Sequence, residues 1–191
     1  MIRRVVSICR RYGFVGVAQR LRDKLYALFG RRRQCMELWA HGLEACSPEG
    51  LPTYQELFLA DFEQHRADDP AWFTDEKLTK LALYYELPAT RAFGCVVEGR
   101  LVAYGLISGE YVGYSKRRLR ESDGYLWDGY THPDFRGRGW HEQLIRIREW
   151  ELRKMGKQRA LVFVADFNRA SRKGFQKAGY RLLKRSSTKG N

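Results

Sequence analysis

The stretch from Tyr125 to His141 restricts the fold more than any other part of the chain. Seven strand-forming residues, 125–131, lead through Arg136-Gly137-Arg138-Gly139, and a helix-patterned segment opens at once after the second glycine. The first N–H groups of a helix have no partners within it and gather into a cradle for an anion. Glycines let such a backbone approach a phosphate closely, and Arg136 and Arg138 add charge. The spacing matches neither a Walker A loop nor the Gly-x-Gly-x-x-Gly dinucleotide fingerprint. Taken alone, the four residues are equally readable as a solvated basic turn or an arginine-glycine contact to nucleic acid.

A second feature lies downstream. Residues 160–165 form an unbroken apolar run, as expected of a strand covered on both faces. Asn168 then leads a helix that closes at Gly179-Tyr180, and the interval between the two features holds one helix, 139–155. Pro133-Asp134-Phe135-Arg136-Gly137-Arg138-Gly139 after a strand, followed at this distance by Asn168 and Gly179-Tyr180, resembles the paired signatures of the GCN5-related N-acetyltransferase (GNAT) superfamily. The resemblance covers about residues 91–185, is generic over 34–90 and is absent over 1–33. It implies an α/β fold with a central mixed β-sheet flanked by helices. The strands at 125–131 and 160–165 would be joined by a right-handed helical crossover. The co-substrate would enter where they diverge. The implied reaction is transfer of an acyl group, acetyl first, from acyl-CoA to a primary amine without a metal. A GNAT-fold module that binds CoA or a partner without catalysis is the alternative.

The resemblance also assigns positions. The backbone of Tyr130, Thr131 and His132 would line the pantetheine arm. Arg136, Gly137, Arg138, Gly139, Trp140 and the amide of His141 would hold the pyrophosphate. Asn168 would lie near the thioester end or the pantetheine, with Ser171 and Phe175 also on the cofactor side. Two residues depart from the family pattern. His141 stands where a small residue is usual, so its side chain must be accommodated or turned outward. Phe175 stands where many members keep a tyrosine that protonates the departing thiolate. General acid help is typically worth ~10²–10⁴-fold, so its loss slows such an enzyme without abolishing it. Tyr130, Tyr180, Ser171 or water could take the role. For the general base, Asp128 is the first choice, with His132 and Glu110 behind it, because alternation along a strand puts Asp128 on the face of Tyr130 and His132. A structural carboxylate is the other reading of Asp128. The aromatics Tyr111, Tyr114, Tyr125, Trp127 and Tyr130 read as a sugar platform or, slightly better, as sheet packing.

The charge is concentrated at the ends. Residues 1–33 carry ten Lys/Arg and one acid, and 181–191 carry four Lys/Arg and none, which leaves 21 basic and 21 acidic residues in between. The net charge of +13 therefore belongs to the termini. Val5, Ile8, Cys9 and Tyr12 recur at helical spacing among arginines, so 1–33 reads as a basic amphipathic helical extension. A helix of this kind suits an anionic membrane surface, or packs on the core with its charges solvated. Nucleic acid is a weaker expectation. The domain itself is expected over 34–185, with a flexible basic tail at 186–191. Four scattered cysteines without a Cys-x-x-Cys pair argue against a zinc site and fit a reducing, cytoplasmic setting, peripheral to the membrane at most. No stretch approaches the ~20 apolar residues of a membrane span. The coarse pattern predicts a strand at 34–42, helices at 54–63 and 75–85, and a hairpin at 91–108.

Overall fold

The computed structural model describes residues 34–112 and 117–188. The expected amphipathic extension at 1–33 and Tyr114 of the aromatic run lie outside them. Seven strands form one sheet: β1 (Gln34–Gly42), β2 (Gln55–Leu57), β3 (Thr90–Val97), β4 (Arg100–Ser108), β5 (Asp123–Thr131), β6 (Arg159–Ala165) and β7 (Arg181–Thr188). Their order is β2-β3-β4-β5-β6-β1-β7. Only β5 and β6 are parallel neighbours, so the sheet is mixed as expected. Helices α1 (Leu59–Gln64) and α2 (Asp75–Tyr85) belong to the stretch between β2 and β3. Helix α3 (Trp140–Lys154) links β5 to β6, and α4 (Arg169–Lys177) links β6 to β7.

Each element follows from local chemistry. Glu98 and Gly99 both take positive φ, +52° and +76°, which gives the β3–β4 hairpin a two-residue turn whose twist matches its strands. The Thr74 hydroxyl accepts the Lys77 amide at 3.3 Å and caps α2, with Asp75 and Glu76 in its first turn. Asn168 caps α4 in the same way, its side-chain oxygen accepting the Ser171 amide at 3.2 Å. The helix predicted over 54–63 is only half correct. Residues 55–57 form a short edge strand against β3, with Leu57 fully buried, and the helix starts at Leu59. Pairing with β3 outweighs helical propensity there. The last strand reaches into the segment expected to be a flexible tail. Its backbone pairs with β1 up to Thr188, past the expected start of the tail.

Alternation along the central strands builds two cores. Leu101, Tyr104, Leu106, Tyr125, Trp127 and Leu161 point to the α1–α2 face, where they meet Phe62, Phe73 and Leu81. Val102, Ile107, Leu126, Ala160, Val162 and Val164 point to the α3–α4 face, against Leu144, Ile147, Leu152 and Phe175. Buried acids anchor α3. Glu149 meets His41 of β1 at 2.9 Å, and Glu151 accepts the Tyr54 hydroxyl at 2.5 Å. At the other end of β1, buried Glu37 holds Arg172 of α4 at 2.9 Å and Arg185 of β7 at 3.0 Å.

Helix α3 lies tight on β5. A Cβ on Gly124 would stand 2.7 Å from Cδ1 and 2.9 Å from Cγ of Leu152. Gly124→Ala is expected to cost about 1–3 kcal/mol through overpacking, lowering Tm by roughly 2–4 °C per kcal/mol. Combining it with Leu152→Val should restore most of the loss, as differential scanning calorimetry of the two single variants and the double variant can show.

Candidate active site

Strands β5 and β6 pair over four positions only, from Asp123↔Arg159 to Leu126↔Val162. Both run on, β5 to Thr131 and β6 to Ala165, without pairing further. Beyond Leu126 the edge of β5 that faced β6 is therefore not paired to it. On its opposite edge β5 stays joined to β4, but with a bulge. Leu106 faces Trp127 and Tyr104 faces Tyr130, which leaves Asp128 and Gly129 opposite Gly105 alone. Asp128 takes φ +46°, a left-handed conformation that side chains rarely adopt. Gly129 is exposed although it lies in a central strand.

The end of β5 turns through a 3₁₀ segment, Pro133–Phe135, into the glycine-arginine loop. Gly137 and Gly139 both have positive φ, +78° and +83°, and nothing lies within 4 Å of where a Cβ would stand on either. The amides of Gly137 to His141 donate to no acceptor among the described residues. Gly139 caps α3 without a side chain. Five successive amides, an open approach and the positive end of a fifteen-residue helix suit a pyrophosphate. Arg136 turns its Nε back to the Thr131 carbonyl at 3.2 Å, while the Arg138 guanidinium lies 5.4 Å from the Phe135 ring centroid. Both side chains flank the loop and are exposed. Trp140 is half-buried against the α3–α4 core.

His141 resolves the first departure by turning inward. Its ring packs edge-on to Phe175 at 5.7 Å and fills the space above Gly174, where a Cβ would come within 2.8 Å of Nε2. The small partner is on α4 instead of in the loop. Only the backbone of His141 faces the cradle. Burial, with Arg148 nearby, pushes the imidazole down to about 4, so it is neutral at physiological pH. Phe175 is 3% exposed and wedged between His141 and Tyr180, so its contact is with the core and it presents no group to a ligand. Asn168 and Ser171 are occupied with each other at the start of α4, beyond the C-terminal end of β6.

Asp128, Tyr130 and His132 do share a face, and the bulge brings Trp127 onto it as well, where simple alternation would have sent it to the other side. Asp128 Oδ2 is 2.5 Å from Nζ of Lys77, an α2 lysine that lies 5.3 Å from the Trp72 ring centroid and 5.7 Å from that of Tyr104. The Tyr130 hydroxyl donates to Asp69, and the Tyr130 ring stacks on Trp72 at 4.2 Å. Nδ1 of His132 accepts the Asp134 amide at 3.2 Å, and its Nε2 lies 3.4 Å from Nη2 of Arg100 and 3.9 Å from Oδ2 of Asp69. Asp69, Trp72 and Lys77 escaped the sequence reading. They come from the α1–α2 stretch, where no motif marks them. Tyr125 and Trp127 are core side chains, in tilted ring contact with each other and with Phe163 and Tyr84 respectively, as sheet packing.

A family model described as "Acetyltransferase (GNAT) family" matches residues 51–180. Among curated proteins none matches the sequence. Solved structures share the fold at low identity. A GNAT-family protein from Novosphingobium aromaticivorans has a TM-score of 0.54 and 15% identity over 81% of this chain. An acetyltransferase of the same family from Colwellia psychrerythraea has a TM-score of 0.58 and 15% identity over 85%. An aminoglycoside N-acetyltransferase in complex with CoA has a TM-score of 0.55 and 16% identity over 73%. The chain spans 62% and 59% of the first two structures and 98% of the third.

The inward histidine sets a pH dependence. An unfolded His141 takes up its proton near 6.5 and the folded one near 4, so stability is full above 6.5 and falls as pH drops toward 4. The difference is on the order of 3 kcal/mol. His141→Phe, which keeps a ring against Phe175, should flatten the thermal-unfolding profile across that window relative to wild type.

Proposed function

This chain belongs to the GNAT acetyltransferase family, and on that premise we propose that it transfers an acyl group, acetyl first, from acyl-CoA to a primary amine. The observation that carries this reading is the run of five undonated amides at Gly137–His141 beside the gap between β5 and β6. Gly137, Arg138, Gly139 and Trp140, with the His141 amide, hold the pyrophosphate, and Arg136 adds charge at the rim. The arm then follows the free edge of β5 past His132, Thr131 and Tyr130 toward the bulge. Calorimetry should show acetyl-CoA binding. Gly137→Val, which forces a β-branched residue into a left-handed turn, should weaken that binding about tenfold or more without unfolding the protein. A wild-type protein that binds no acyl-CoA sinks the proposal.

The acceptor reaches the site as an ammonium near pKa 10 and must lose a proton before it attacks. Asp128 faces the right way, but its carboxylate is already engaged by the Lys77 ammonium at 2.5 Å. We therefore assign the proton transfer to Tyr130 and Asp69. The Tyr130 oxygen accepts the amine proton as its own hydroxyl proton passes to Asp69. His132 borders that carboxylate, its Nε2 3.9 Å away. The same pair returns a proton to the departing thiolate, a step Phe175 cannot perform. Tyr130→Phe and Asp69→Asn should each lower kcat by about 10²-fold with acetyl-CoA affinity unchanged. The double variant should lose little more than either single one. Full rates in Tyr130→Phe would remove Tyr130 from the mechanism.

The acceptor class is drawn from two sources. One solved structure of the same fold is an aminoglycoside N-acetyltransferase, and here the half-buried Trp72 stacked on Tyr130 offers an aromatic wall beside the Asp128 and Asp69 carboxylates. An amino sugar or a lipid-linked amine suits an aromatic wall beside carboxylates of this kind. Residues 1–33, with ten basic residues among apolar ones at helical spacing, suit the surface of an anionic membrane. No helix among the described residues is long and apolar enough to cross one. Full-length protein should sediment with phosphatidylglycerol vesicles at physiological salt, and removal of 1–33 should abolish this. Equal partition of the two forms would argue against the membrane role. A non-catalytic CoA-binding module is the reading favoured by the buried Phe175, and turnover on a panel of amines separates it from an enzyme.

A further inference from the structure

Among the described residues Arg148 is the largest fully buried side chain and forms no salt bridge with a carboxylate. It rises from the middle of α3 toward the bulge. Nε donates to the Leu144 carbonyl of its own helix at 3.1 Å, and Nη1 to the Trp127 carbonyl of β5 at 3.2 Å. Nη2 is buried and has no partner. Two glycines make room for the guanidinium. A Cβ on Gly105 would stand 2.8 Å from Nη1, and one on Gly129 would stand 3.4 Å from Nη2. Gly105 and Gly129 face each other across the β4–β5 irregularity. The unpartnered nitrogen thus lies directly beneath Gly129, the exposed residue where β5 has parted from β6.

This placement is costly if its purpose is only to fill space. A buried ion held by no salt bridge is penalised by several kcal/mol, even with Glu149 and Asp128 near enough to favour its charge, and an apolar side chain of similar volume would avoid that penalty. Desolvation even pulls the guanidinium down to about 10, although it stays charged at neutral pH. Beneath a reacting carbonyl, the same dry positive charge is useful. Electrostatic stabilisation is strongest where water is excluded, and donors fixed in advance need no reorganisation when charge develops.

We propose that Arg148 is a positioning residue for acyl transfer, fixing the Asp128–Gly129 bulge through the Trp127 carbonyl and placing a buried positive charge under the thioester carbonyl of a bound acyl-CoA. The inference rests on the acyl-CoA reading above. In the step it serves, the amine nitrogen forms a bond to the acyl carbon while charge gathers on the carbonyl oxygen. The C–S bond then breaks, leaving CoA as thiolate, and the amine proton, carried by Tyr130 and Asp69, ends on that sulfur. Arg148 gives up no proton and forms no bond in the reaction. It acts through the backbone at 127–129 and through its field.

The test uses full-length protein and two ligands, acetyl-CoA and S-ethyl-CoA, which has the same shape without the carbonyl. Wild type should bind acetyl-CoA about tenfold more tightly, a difference of ~1.4 kcal/mol. In Arg148→Met the two affinities should converge to within about twofold, with S-ethyl-CoA binding as in wild type. In parallel, infrared difference spectra of bound [1-¹³C]acetyl-CoA should show a carbonyl stretch lowered by wild type and returned toward its free position in the variant. A variant that is merely repacked would change its melting temperature and leave both readouts alone, and that result overturns the proposal. Should the methionine variant fail to fold, Arg148→Gln, which retains a donor for the Trp127 carbonyl but carries no charge, provides the same comparison. Wild type that binds both ligands equally refutes the Arg148 assignment alone. Wild type that binds neither refutes the acyl-CoA reading with it.

Discussion

The parting of β5 from β6 after Leu126 is the constraint on which the rest depends. Two parallel strands in the middle of a sheet would ordinarily satisfy one another along their whole length, because unpaired backbone groups inside a protein are expensive. Here they stop after four positions, and the consequences spread outward. The free edge of β5 runs toward the amides at the start of α3, so a single open line links the sheet centre to a helix N-terminus. The opposite edge carries the bulge at Asp128 and Gly129, which turns Asp128 toward α2 and bares Gly129. Lys77 and Arg148 then approach the bulge from opposite faces of the sheet. The site is therefore a sheet defect with a cation on each side.

Much of this scaffold was legible in the residues. The apolar run at 160–165, the glycine-arginine loop and the two capped helices each write their element locally, through periodicity, conformational freedom or a capping oxygen. The loop was the most legible part of the site, because anion binding by a helix start requires little beyond glycines and sequence order. The side chains gathered around Asp128 and Tyr130 were harder. Asp69, Trp72 and Lys77 sit in a stretch whose pattern is generic, and they matter only because tertiary contact carries them to Tyr130 and Asp128, some fifty to sixty residues away in the chain. The bulge was equally hidden. Strict alternation predicts opposite faces for Trp127 and Asp128, and a one-residue irregularity against β4 cancels that prediction.

His141 and Phe175 show how two departures from a family pattern are one event in space. A bulky ring at the second position of α3 has room because α4 supplies Gly174 next to Phe175. Neither position is interpretable in isolation, since their common cause is the contact between the helices. The same holds for the charges buried along α3. Arg148, Glu149 and Glu151 are successive or nearly so in sequence, yet they face a sheet bulge, a β1 histidine and a loop tyrosine respectively. A helix that looks too polar for a core is made compatible with one by three separate partners.

Strand β1 occurs first among the strands in the chain but sits between β6 and β7 in the sheet, with both of its edges paired to residues more than a hundred positions away. During vectorial synthesis on the ribosome it emerges long before either neighbour exists, so it must wait as an unpaired apolar segment until nearly the whole chain has left the tunnel. Pairings so distant in sequence close slowly and leave strands exposed meanwhile. The clasp of Glu37 with Arg172 and Arg185 can form only then. It makes the final stage of sheet assembly the one in which the charge of β7 is recruited, so the sheet closes only after that strand has been made.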